Sequence, residues 1–200
     1  MFKNNRENFE KQWNDIKVFI QYGMMSDEKF YERAKAFYLL QNTDNKYFTL
    51  DEYKSFIEKN QTDKEGQLIY LYASNILEQH SFINSAKERG YDILLMDSPI
   101  DSHFINFLES KFEKTSFSRV DADVIDKLIK KENSLPSKLS EENQKKIKEL
   151  IEKQLDKDKY YIEFEPMTDK EGPFTITLPE YPRRMKDMSA TLRGINAMDN

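Results

Sequence analysis

The 200-residue chain carries 31 Lys and Arg against 36 Asp and Glu, a net charge of −5, no cysteine and a mean hydropathy of −0.83. These values exclude disulfides and thiolate metal sites, and they weigh against a protein devoted to nucleic-acid phosphates, whose affinity rests on clustered Lys and Arg. No apolar run approaches the ~20 residues that span a bilayer and "MFKNNRENFEKQW" has no signal-peptide apolar region, so a cytoplasmic protein without membrane contact is expected.

In chain order, residues 5–22 place Phe9, Trp13, Ile16 and Ile20 on one helical face, with Gly23 as the C-cap. Ser26, Asp27 and Glu28 read as the N-cap and acidic first turn of a second helix, with Phe30, Ala34 and Phe37 as its buried stripe. "NTDNK" is a loop. Thr49 with Glu52 three residues later is a capping box opening a short helix that buries Tyr53, Phe56 and Ile57.

The period then changes. "QLIYLYAS" (67–74) and "YDILLMD" (91–97) are short apolar runs of strand-forming residues on either side of a helix over 76–89 that ends at Gly90. Strand, helix and strand within about 30 residues predict parallel strands joined by a crossover. "SPIDSHFINFLESKF" starts the next helix, "SFSRVD" (116–121) is a third strand, and Asp121 caps a helix carrying Val124, Ile125 and Leu128. A polar, proline-containing stretch over 131–140 reads as a linker. Beyond it come a charged helix over 140–155 and two alternating segments, 160–166 and 173–179, that suggest paired strands. The fold class is therefore mixed α/β. A helical segment (1–60) leads into a small three-layer α/β unit with parallel strands (61–130), and a partial α/β unit (141–200) follows the linker.

Catalytic patterns are scarce. His80 and His103 have no metal-ligand spacing, and the five glycines are too scattered to cradle a phosphate. No metal or cofactor site is expected. Asp97 and Asp101 lie at a predicted strand end, where parallel α/β sheets bind ligands, so a small-ligand or metal-binding domain is the alternative function. The same residues serve equally as turn formers and caps.

The segment 180–194, "EYPRRMKDMSATLRG", is the exception to the acidic average. As a helix it aligns Leu178, Tyr181, Met185, Met188 and Leu192 on one side. That stripe could pack on the preceding strands or face apolar partners, for which unbranched, polarizable methionine is suited. Arg183, Arg184, Lys186 and Arg193 instead raise contact with anionic membranes or nucleic acid, which the acidic whole disfavours.

The ordered set "FIQYGMMSDEKFYERAKAFYLLQ", "DEYKSFIEKNQ", "LIYLYAS", "ERGYDILLMDSPIDSHFINFL" and "RRMKDM" resembles the heat shock protein 90 chaperones, bacterial branch, over residues 9–190. The resemblance implies that 1–130 is the later part of the family's middle domain and 141–200 the start of its carboxy-terminal dimerisation domain. It implies a parent ATPase whose ATP, magnesium and catalytic arginine are held by upstream segments, with no catalytic or cofactor-binding residue in this chain. It also implies clients in non-native states and a dimeric parent, this chain alone being a monomer or weak dimer. The client-binding residues it points to are His103 (an aromatic in relatives), Asn106, Tyr181, Met185, Met188 and Leu192.

Overall fold

A computed structural model describes residues 5–130, 139–155, 160–164, 174–177, 179–186 and 188–189. They divide into two compact units, one within Met1–Lys131 and Ile176–Asn200, the other within Glu132–Thr175.

In the larger unit the first predicted helix is two helices, α1 (Arg6–Lys11) and α2 (Trp13–Ser26), broken at Gln12, which caps both. The predicted stripe holds across the break. Phe9 and Trp13 are buried with rings 5.5 Å apart, and Ile16 and Ile20 pack against the same core. Gly23 does not end α2. Its missing side chain makes room for Phe30, whose ring would lie 2.8 Å from a Cβ at that position. The cap of α3 (Glu28–Ala34) is Asp27 rather than Ser26, its carboxylate accepting from the Lys29 and Phe30 amides at 2.7 and 3.1 Å. Asp27 has the shorter reach to both orphan amides while Ser26 is still helical. On α3, Tyr31 and Ala34 are buried, whereas Phe30 is 38% exposed.

The loop "NTDNK" proves to be the tip of a hairpin that periodicity did not indicate. Here β1 (Leu39–Gln41) pairs antiparallel with β2 (Tyr47–Thr49), and Asn45 takes a left-handed φ of 59°. The capping box forms as expected at the start of α4 (Leu50–Gln61): the Glu52 amide donates to Thr49 Oγ1 at 3.3 Å, and the Thr49 amide to Glu52 Oε2 at 2.8 Å.

The centre is a three-stranded parallel sheet. Its strands β3 (Leu68–Ala73), β4 (Ile93–Leu95) and β5 (Thr115–Arg119) stand in the order β4-β3-β5, with Leu71 opposite Ile93 and Tyr72 opposite Arg119. Helix α5 (His80–Glu88) joins β3 to β4 and α6 (Asp101–Lys111) joins β4 to β5. Alternation along β3 divides the core. Leu68, Tyr70 and Tyr72 pack with Trp13, Tyr38 and the α6 residues Phe104, Ile105 and Leu108. Ile69, Leu71 and Ala73 pack on the opposite face with Ile83 and Ala86 of α5. Both faces of the sheet are thus covered, as all-parallel sheets require, giving the three layers and the α/β class. α5 begins four residues later than expected, since 76–79 form a turn, and Gly90 ends it with a φ of 75°. Helix α7 (Ile125–Leu128) starts after Asp121, which is engaged elsewhere and does not cap it.

In the smaller unit, α8 (Glu141–Glu152) is capped by Ser140, whose hydroxyl accepts from the Asn143 amide. None of its residues is buried, and the Lys148 ammonium lies 5.2 Å from the Tyr161 ring centre. Residues 160–164 and 174–177 are not in strands, so the expected hairpin is not borne out there, and its turn lies outside the described residues.

Candidate functional site

β5 is an edge strand. Its Val120-side pairing to β3 leaves the Phe117 and Arg119 backbone groups facing outward. Backbone groups in such a position need partners, and here they find side chains. The Phe117 amide donates to Glu109 Oε1 of α6 at 2.7 Å, the Phe117 carbonyl accepts from Arg184 Nη2 at 2.9 Å, and the Arg119 amide donates to Glu180 Oε2 at 2.9 Å.

Two of those three partners come from the far end of the chain, where residues 180–186 are helical. Glu180 also accepts from Tyr72 Oη at 2.6 Å, from Arg183 Nη2 at 2.8 Å and from Arg184 Nε at 3.1 Å. Arg184 continues to Glu109 Oε2 at 2.6 Å and Asn106 Oδ1 at 2.9 Å. Arg183, 8% exposed, reaches Asp121 Oδ1 at 3.3 Å, and Arg119 grips both oxygens of Asp121 at 2.6 and 2.8 Å. Burial alone would raise the Asp121 pKa. The Arg119 and Arg183 guanidiniums outweigh it and hold the carboxyl below its ordinary value. Burial together with the Glu180 carboxylate raises the Tyr72 phenol well above its usual range, so it stays a donor.

The helix is therefore docked by its charged side. That reverses the arrangement expected of an amphipathic helix, whose apolar stripe ordinarily faces the core. Tyr181 is 75% exposed and Met185, one turn on, 51%. Met188 is half-buried, and its Sδ accepts from Asn106 Nδ2 at 3.2 Å, so one predicted residue of α6 meets one of the terminal segment. His103 stands one turn before Asn106 on α6, half-buried. Leu192 lies outside the described residues. The large apolar groups of this helix left to solvent are Tyr181 and Met185, and the half-buried Met188 lies against Asn106.

A family model described as Hsp90 protein matches residues 1–186. The chain belongs to the Hsp90 family. It is 49% identical over 98% of its length to the chaperone protein HtpG of Bacteroides thetaiotaomicron, and 41% identical over 98% to that of Porphyromonas gingivalis. HtpG of Borrelia garinii is 29% identical over 74% of the chain. The chain spans 29% of the length of the first two relatives. It is thus a chaperone-family chain, related throughout to bacterial members.

The rival site is occupied by the protein itself. Asp101 is 2% exposed, and its oxygens accept from Gln21 Nε2 at 2.7 Å, the Ser98 amide at 2.8 Å and Lys17 Nζ at 3.1 Å. Lys17 lies 3.8 Å from Asp97 as well. Asp101 therefore ties α6 to α2 and offers no oxygen to a ligand. Among the described residues no group of three His, Asp or Glu could hold a metal ion, and no helix is long and apolar enough to cross a membrane. Arg183 and Arg184, the core of the polyanion reading, face Glu180, Asp121 and Glu109 instead.

Sequence reasoning missed the carboxylate–arginine network. The spacing of Glu180, Arg183 and Arg184 gives i,i+3 and i,i+4 pairs, a visible local signal, but the partners Tyr72, Glu109 and Asp121 are distant in sequence. It also missed the exposed Val18, Phe19 and Tyr22 of α2, which sit outside the stripe of Phe9, Trp13, Ile16 and Ile20.

Proposed function

We propose that this chain is the client-contacting part of an HtpG-type chaperone, binding non-native protein through the apolar edge of Tyr181, Met185 and Met188 with Asn106 and His103 of α6, and with Leu192 as the further contact that the sequence spacing suggests. One observation carries the reading: a helix that docks by its charged side leaves its tyrosine and methionine to solvent. Exposed large apolar groups next to polar ones mark protein-binding surfaces, and a flexible methionine adapts to many apolar partners. In this reading 1–60 and 61–130 are the helical and α/β parts of a middle domain, 131–140 is a linker, and 141–200 opens a dimerisation domain. ATP and magnesium act in the parent protein, which is a cytoplasmic homodimer and an ATPase. The nucleotide and the catalytic arginine belong to its upstream segments, and this chain binds without catalysing.

The test is binding of a permanently unfolded model protein, reduced and carboxymethylated lactalbumin, to the chain and to its Tyr181→Ser/Met185→Ser variant. Withdrawing two apolar contacts of about 1.5 kcal/mol each weakens affinity by one to two orders of magnitude. Equal affinity of the two proteins rejects the assignment of this edge.

A further inference from the structure

We infer that Arg184 and Glu109 are positioning residues of this binding edge, which they hold in place without touching the client. The inference rests on the proposed function. The Arg184 guanidinium makes four different attachments: to Glu180 of its own helix, to Glu109 and Asn106 of α6, and to the Phe117 carbonyl of β5. Glu109 is its counterpart, one oxygen on Arg184 and the other on the Phe117 amide. Together they fix the rotation of the terminal helix about its own axis, because the bonds go to two separate elements, a helix and a strand.

That rotation decides what solvent sees. Met185 follows Arg184 directly, and Tyr181 lies three residues before it, so turning the helix would carry both toward the sheet. No described residue of 179–189 belongs to either apolar core cluster, so apolar packing does not select the orientation. The planar fork of Arg184 does. A lysine carries the same charge on a single compact group and cannot span the same four acceptors. If the correctly turned state falls to about a tenth of the population, apparent affinity falls about tenfold.

The chain has no cysteine, which permits clean labelling. Spin labels at Ser110→Cys on α6 and Lys186→Cys on the terminal helix, both exposed positions, report the relation of the two helices. The expected result for Arg184→Lys is a broadened distance distribution and about tenfold weaker binding of carboxymethylated lactalbumin, with an unchanged urea midpoint for the sheet. Glu109→Gln, which removes the anchor from the other side, is expected to behave alike and serves if Arg184→Lys does not fold. A broadened distribution with undiminished binding overturns the inference and leaves the proposed function standing. So does a distribution that stays narrow in both variants. A parent chain that does not bind the unfolded probe defeats the proposed function and this inference with it.

Discussion

Replacing Glu180 with alanine withdraws one carboxylate from four donors: Tyr72 Oη, the Arg119 amide, Arg183 Nη2 and Arg184 Nε. A hydrogen bond to a charged acceptor contributes about 1.5–3 kcal/mol net. The Arg119 amide rests on this bond alone for its outward N–H, so its protection from hydrogen exchange is expected to fall by the same free energy, about 10- to 150-fold. The next residue is the internal control. The Val120 amide points inward and donates to the Tyr72 carbonyl at 2.9 Å, a bond that Glu180 does not touch. Exchange measured by NMR on the wild-type and Glu180→Ala chains should therefore separate two adjacent amides, Arg119 losing protection and Val120 keeping it. Because the described residues of 179–189 add nothing to the two core clusters, the sheet itself stays folded. Equal loss at both amides would mean that Glu180 supports the whole sheet. Unchanged protection at Arg119 would mean that the edge does not depend on the terminal helix. Either result refutes the reasoning.

Other substitutions probe the scaffold. Phe104→Ala empties a fully buried site between Tyr38 and Phe107 and should cost about 3–5 kcal/mol in urea unfolding, whereas a cost under 1 kcal/mol would contradict the assigned core. Gly23→Ala gains about 1 kcal/mol of helix propensity but meets the Phe30 ring, so it should destabilise the wild type and stabilise a Phe30→Ala background, a sign change readable in a double-mutant cycle. Arg6 binds Glu52 at 2.6 and 2.8 Å and pulls its pKa from 4.5 to about 2. A carboxyl depressed in the folded state stabilises fully above its unfolded value and loses that contribution as pH falls from about 4.5 through 2. Both side chains are more than a third exposed, which limits the pair to about 1 kcal/mol. Titration of Trp13 fluorescence should show α1 loosening across that window, and Glu52→Gln should abolish this step while leaving the rest of the acid transition in place.

The parallel sheet was legible because its strands are short continuous apolar runs set between helical periods, and that contrast is written in local residue order. The capping box was legible for the same reason, Thr49 and Glu52 being three residues apart. What escaped depends on partners far along the chain or on competition between neighbours. Asp27 displaces Ser26 as a cap because α2 runs past Gly23, where the missing side chain makes room for Phe30 and does not mark a helix end. The three-residue strands of the hairpin are too brief to show alternation. At the terminal helix, periodicity aligned Tyr181, Met185 and Met188 on one side. Which side docks was not legible, since Tyr72, Glu109 and Asp121 lie 62 or more residues away from the arginines and glutamate that meet them. The family resemblance supplied the candidate residues, and the tertiary network explains how two of them, Tyr181 and Met185, are left to solvent.

The side chains that fill the outer edge of β5 have a consequence for a chain proposed to handle unfolded polypeptide. An open strand edge is a template on which any extended chain can add itself as a further strand, and such growth does not stop at one copy. Glu109, Glu180 and Arg184 occupy the very amide and carbonyl groups at Phe117 and Arg119 that an incoming strand would use. Contact with the surroundings is left to side chains, which bind and let go. The sheet can stand next to aggregation-prone chains without becoming their seed.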